Sequence, residues 1–203
     1  YYAKDAWSLL HFGYARNYAD DANDKILDGS TTGQWTHGPS MVVHPEVGKW
    51  LIALGEKAFG MDPFGWRISA AVVGSLMVLV MCRLVRRMTG STALGLVAGL
   101  LLSLDGLQFV LSRLALLDIF LAFFVLCAVA CLVCDRDWCR ARMARLAPRA
   151  GTWGPVRGLL WRPWLLASGV CWGLAAGCKW TAVYPLAAFG LLLTLEPRNR
   201  EER

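Results

Sequence analysis

Four charged side chains stand where charge is costly. Arg67, Arg113, Asp118 and Lys179 each lie within, or at the edge of, a long apolar run. Placing an ionisable group in hydrocarbon costs about 2.5–3.5 kcal/mol or more, so such a residue marks a function or a specific partner. Three of the four are cations. Guanidinium and ammonium groups at a bilayer boundary suit the phosphate of a lipid whose tail lies in the membrane. The simpler alternative is structural: Arg113 and Asp118 pair with each other, while Arg67 and Lys179 snorkel to water. His44, Glu46 and Lys49 open an amphipathic segment, where a helix N-terminus adds partial positive charge.

These charges can meet only if the apolar runs between them are folded back and forth, and composition requires such runs. The chain has 203 residues, of which 56% are hydrophobic and 18% charged. Charged residues make up about 25% of an ordinary globular chain. Mean hydropathy is +0.43. That is more apolar surface than a chain this short can bury in itself. Disorder, a coiled coil and a small disulfide scaffold are excluded, and an integral membrane protein with part of its chain in water is expected. The chain starts at Tyr1-Tyr2 and ends in a charged string beside an apolar run, so it reads as a piece of something longer.

Residues 68–85 form one run of membrane length, and residues 115–134 another. Residues 92–104 are short alone but reach span length if continued through Leu111. Residues 164–195 are too long for one crossing at 1.5 Å per residue. Lys179 and Pro185 divide them into two. Five spans follow. The basic residues cluster in three stretches: Arg83, Arg86 and Arg87; then Arg136 through Arg162; then Arg198, Arg200 and Arg203. Five alternating spans put all three stretches on the cytoplasmic side, as the positive-inside rule requires. Residues 1–66, the 105–113 turn and the 179–184 turn then face the opposite side, together with Arg67, Arg113 and Lys179. The net charge of +6 therefore does not point to nucleic acid.

Three regions are expected. Residues 1–66, with a net charge of −3, form an extracytoplasmic first loop. In it, Trp7, Leu10, His11, Tyr14 and Tyr18 fall at helical spacing, and 20–34 reads as an exposed loop. Residues 46–59 form an amphipathic helix with Val47, Trp50, Leu51, Leu54 and Ala58 on its apolar stripe and Pro45 at its first position. It lies along the membrane surface or packs on its own domain. Residues 67–195 form a membrane domain of about five helices with a cytoplasmic loop at 135–162, and 196–203 a cytoplasmic tail. The fold class is all-α, a polytopic membrane helix bundle.

Other signals point nowhere. Cys131 and Cys134 fit the spacing of a redox or metal pair, but no second pair and no histidine lies near, so neither a metal nor a cofactor is expected. The acidic stretch from Asp20 to Gly29 lacks the glycine and glutamate positions of a calcium loop. No glycine-rich phosphate loop, nucleophile elbow or zinc-protease motif is present.

The residues do resemble a known family. Tyr1-Tyr2-Ala3-Lys4, His44-Pro45-Glu46-Val47-Gly48-Lys49, Phe64-Gly65-Trp66-Arg67, 105–113 (DGLQFVLSR), Leu116-Leu117-Asp118 and 173–180 (GLAAGCKW) occur in the order of the protein O-mannosyltransferase family. The excess of arginine over lysine resembles the actinobacterial branch. The resemblance implies a multispanning fold of the GT-C glycosyltransferase type in the cell membrane, with its active face extracytoplasmic. It implies inverting transfer of mannose from polyprenyl-phosphate mannose to serine or threonine hydroxyls of secreted proteins, with no cofactor beyond the lipid-linked donor. Association with the secretion machinery is a further expectation. The family's acidic pair, Asp-Glu, falls immediately before Tyr1, so the resemblance assigns no catalytic residue within the chain, and the role is not transferred to Asp5. It assigns Lys179, Trp180, Arg67, Arg113, His44, Lys49 and Lys4 to donor, acceptor or lipid-phosphate contacts, with Asp118 and Glu46 in support. Glu46 departs from the family, which carries proline there. The alternatives are another GT-C transferase with a glycolipid acceptor, and a transporter-like protein without catalysis.

Overall fold

The computed structural model describes residues 2–146 and 161–195. Arg149 and Arg157 of the expected basic loop, Tyr1, and the expected tail at 196–203 lie outside the described residues. The described chain is mostly helical. It runs α1 (Tyr2–Phe12), β1 (Arg16–Tyr18), α2 (Ala22–Leu27), β2 (Trp35–Pro39), α3 (Val47–Phe59), α4 (Gly65–Thr89), α5 (Thr92–Leu104), α6 (Gly106–Leu111), α7 (Leu117–Leu146), α8 (Pro163–Cys178), a 3₁₀ turn (Trp180–Ala182) and α9 (Val183–Leu195).

Two helices, α4 and α7, are long and apolar enough to cross a membrane. On α4, Arg67 and Arg87 bracket an apolar stretch of roughly 30 Å at 1.5 Å per residue, which is the hydrocarbon thickness. α5, α8 and α9 are apolar but shorter, at 13, 16 and 13 residues. The run expected to continue from residue 92 through Leu111 is not one helix. It breaks at Asp105, whose backbone is extended (φ −64°, ψ 123°) and whose carboxylate accepts from the Gln108 amide at 2.7 Å, capping α6. The run from 164 divides at Lys179, also extended, and Pro185 sits in the first turn of α9.

Pairings along the helices fix their directions. Gly95 of α5 packs on Cys82 and Arg86 of α4, and Gly99 packs on Cys82 and Val78; an added Cβ would lie 2.6 Å from the Cys82 carbonyl oxygen at Gly95 and 2.0 Å from its Sγ at Gly99. α5 therefore returns antiparallel to α4. α7 runs parallel to α4: Phe120 lines one hollow with Ser69 and Val73 at one end, and Arg87 pairs with Asp137 at 2.8 Å at the other. α8 returns antiparallel to α7, through Arg162 with Asp135, the Ser168 hydroxyl donating to the Ala128 carbonyl at 3.0 Å, and Lys179 with Asp118 at 2.8 Å.

The segment before α4 differs in several ways from its sequence reading. α1 ends at Phe12, because Gly13 turns the chain with φ +75°, so Tyr14 and Tyr18 leave the helical face. β1 and β2 form a two-stranded antiparallel ribbon, with Tyr18 opposite Trp35, which the purely helical reading lacked. The 20–34 loop contains α2. α3 begins at Val47 with Glu46 at its N-cap, so Pro45 precedes the helix instead of starting it. The face of α3 buried on the protein carries Gly48, Lys49, Ile52, Ala53, Gly55 and Glu56. Trp50 and Leu54, from the apolar stripe, point away and are 42% and 59% exposed. The core joins these parts: Ala6 of α1, Ile52 and Ala53 of α3, Ala70 and Met77 of α4, Leu117 and Phe120 of α7 and Cys178 of α8 share one buried cluster.

Candidate functional site

The core leaves one end of the bundle rich in charge. Arg67, in the first turn of α4, is exposed, and among the described residues no side chain pairs with its guanidinium. It lines two hollows. One, of about 430 Å³, lies between Pro63, Phe64 and Ile68 on one side and Ser112 and Arg113 on the other. The second, of about 410 Å³, is shared with Lys4 and Asn23 and walled by Trp66 and Leu116. Arg113 is placed by α6, which folds back on α4: the Gln108 side-chain amide donates to the Gly74 carbonyl at 3.0 Å, and Ser112 sits over Gly74. The Arg113 guanidinium lies over the Phe109 ring at 3.7 Å, so it does not pair with Asp118. Lys4 donates to Asn23 Oδ1 at 2.9 Å and lies 4.4 Å over the Tyr18 ring.

Lys179 stands at the same end of the bundle but lines neither hollow. The extended backbone at this residue ends α8 and turns its ammonium onto Asp118 Oδ1, 2.8 Å away in the first turn of α7. The pair is half open, with side chains 23% and 41% exposed. An ammonium has three donor hydrogens, so Lys179 keeps capacity for another acceptor. Trp180, next in chain, is 67% exposed. His44 precedes α3 and faces Tyr2, with ring centroids 6.2 Å apart; its Nδ1 is buried without a partner. Glu46 caps nothing with its side chain.

Lys49 is elsewhere. It is 2% exposed, and its ammonium pairs with Asp5 at 2.8 Å. Asp5 also accepts from the Tyr18 hydroxyl, so α1, β1 and α3 are tied at one buried carboxylate. Neither member of the pair opens into the two hollows, and Asp5 has no free face from which to take a proton from a substrate. Sequence reading missed this triad. The local signal was the i, i+3 and i, i+4 placement of Lys49 with Ile52 and Ala53 on one face of α3. Glu56 is 1% exposed and neither of its oxygens has a partner. Burial pushes its pKa up to about 8.

Lys4, Arg67 and Arg113 line two hollows that share Arg67, and Lys179 lies at the same end of the bundle, paired with Asp118. Cations beside apolar walls can accept an anion of phosphate size. Among the described residues, no three His, Cys, Asp or Glu side chains gather as metal ligands.

Known proteins share this chain's sequence. The family model described as dolichyl-phosphate-mannose-protein mannosyltransferase matches residues 55–197. A polyprenol-phosphate-mannose–protein mannosyltransferase of Mycolicibacterium smegmatis is 42% identical over 198 residues, covering 95% of this chain and 34% of its own length. Its namesake in Mycobacterium tuberculosis is 43% identical over 196 residues, covering 95% and 34%. One from Corynebacterium glutamicum is 40% identical over 158 residues, covering 76% and 30%. The chain thus spans about a third of the length of the curated relatives it matches. No solved structure matches it.

Proposed function

Because the chain belongs to the dolichyl-phosphate-mannose-protein mannosyltransferase family, we propose that it is the carrier-phosphate-binding part of a membrane enzyme. That enzyme moves mannose from a polyprenyl-phosphate carrier to serine or threonine hydroxyls of secreted polypeptides. The observation that carries this reading is the position of Arg67, an unpaired guanidinium between two hollows, with Lys4 across one and Arg113 across the other. In the reaction the acceptor hydroxyl oxygen bonds to the anomeric carbon of mannose. The bond from that carbon to the phosphate oxygen breaks, and its electron pair leaves with the carrier phosphate. The hydroxyl proton passes to a carboxylate acting as general base. Negative charge therefore grows on the phosphate, where fixed cations stabilise the transition state more than the bound donor. Arg67, Arg113 and Lys4 serve that phosphate. Lys179, oriented by Asp118, serves it or the sugar beside it, and His44 and Trp180 belong to the surrounding pocket. The active face is extracytoplasmic, and association with the secretion machinery fits an acceptor that arrives unfolded.

The test uses the full-length enzyme with polyprenyl-phosphate mannose and a Ser/Thr-rich peptide, read by mass spectrometry. Wild type is expected to give mannosylated peptide. Arg67→Ala and Lys179→Ala are each expected to slow transfer by about 10²–10³-fold, the usual cost of losing one donor to a developing oxyanion. An undiminished rate in either variant removes that residue from the site.

A further inference from the structure

At the opposite end of α4 lies a hollow of about 660 Å³, larger than either of those beside Arg67. Its rim is basic: Arg83, Arg86 and Arg87 occupy adjacent turns on one face of α4. Its inner wall is apolar, made by Leu79, Val80 and Leu84 of α4 and by Ala130 of α7. Gly90, with φ +72°, caps α4 and turns the chain aside at the corner. Arg87 is committed to Asp137 at 2.8 Å, a bond that ties α4 to α7. Arg83 and Arg86 are exposed and have no ionic partner among the described residues.

We infer that this hollow is a binding site for an anionic glycerophospholipid, at the end of α4 remote from Arg67. The order of chemistry along α4 matches such a lipid. Guanidinium groups sit at headgroup depth, and an apolar wall begins one turn further into the membrane, where acyl chains start. Arginine is the residue suited to this role, since its planar fork meets a phosphodiester with two parallel hydrogen bonds. A water-soluble phosphate ester would leave the Leu79 and Val80 wall unused. A further helix of the same protein seated here would have to bring carboxylates to satisfy Arg83 and Arg86. The lipid supplies the anion and the apolar tail together. Nothing in this site depends on the mannosyl-transfer reading.

The experiment uses full-length protein in detergent, incubated with phosphatidylglycerol or with phosphatidylcholine and read by native mass spectrometry. Wild type is expected to retain phosphatidylglycerol and not phosphatidylcholine. Arg83→Gln/Arg86→Gln is expected to lose that retention at least fivefold, while Arg140→Gln/Arg145→Gln, which removes equal charge from α7 outside the hollow, keeps it. Equal loss in both double variants would mean diffuse attraction to a basic surface and would overturn the site. So would displacement of the lipid by millimolar inorganic phosphate. Should the first double variant fail to fold, a photoactivatable phosphatidylglycerol decides the matter on wild type. Its crosslinks must fall within residues 79–90 or 130–134, and crosslinks only elsewhere would overturn the site.

Discussion

At the scale of single residues, two buried charges on α3 have opposite fates, and each makes a prediction. Lys49 is satisfied by Asp5, whereas Glu56 has no partner. Breaking a buried ion pair from one side leaves an uncompensated charge and costs about 3–5 kcal/mol. Lys49→Met should therefore destabilise the full-length protein by that amount in thermal melts. Adding Asp5→Asn should recover most of it, since the amide still accepts from Tyr18 and carries no charge. A Lys49 that served only as a phosphate ligand would leave the melting temperature unmoved. Glu56 acts through protons. Its ordinary value is 4.5 and the folded value is about 8, so between those the folded state holds a proton that the unfolded state has lost. Its contribution is whole below pH 4.5, falls as pH rises towards 8, and is level above. The melting temperature should decline from pH 5 to pH 8, and Glu56→Gln, neutral throughout, should flatten that decline. An unchanged slope in the variant would show that another group causes it.

Elements were legible in proportion to how much of their cause is local. α4 and α7 announce themselves by the length of their apolar runs, because hydrocarbon thickness sets that length. The break at Asp105 was hidden inside an apolar stretch, although Asp105 to Gln108 has the spacing of a capping box that could have located it. β1, at three residues, is too short to display alternation, and α1 stops where Gly13 turns left-handed instead of following its aromatic spacing. The site divides in the same way. That Arg67, Arg113, Asp118 and Lys179 stand where charge is costly was readable from the apolar runs around them. Who partners whom was not. Asp118 chooses Lys179, 61 residues away, over the nearer Arg113, because the antiparallel return of α8 brings one and the outward stacking of Arg113 on Phe109 removes the other. The family motif puts Lys49 among the donor, acceptor or lipid-phosphate contacts, and only the packing of α1 on α3 reveals the carboxylate beneath it. Close approach seats α3 on its other neighbours, α7 and α4: a Cβ on Gly48 would lie 2.8 Å from Leu117, and one on Gly55 would lie 2.3 Å from the Gly65 carbonyl oxygen.

For the whole molecule, the parallel course of α4 and α7 is the strongest constraint on how the chain meets the membrane. Both end in a cluster of arginines on the same side, and Arg87 with Asp137 locks those ends together. Two parallel crossings require an odd number of returns between them, and α5 with α6 is the connecting segment. α5 alone reaches only about 20 Å at 1.5 Å per residue, against the roughly 30 Å of hydrocarbon. The return is completed by the turn at Asp105 and by α6 folding along α4 towards Arg67, which the contacts of Gln108 and Ser112 with Gly74 hold in place. This arrangement makes a definite forecast for alkaline phosphatase fusions, each carrying everything upstream of its junction in the full-length gene. Junctions after Gly90 and after Arg145 should be inactive, because the arginines keep those ends inside. Junctions after Arg113 and after Ala182 should be active. Activity on both sides of α5, after Gly90 as well as after Arg113, would mean that this segment dips and returns without crossing. Since α7 is parallel to α4, such a result would be incompatible with the Arg87–Asp137 contact.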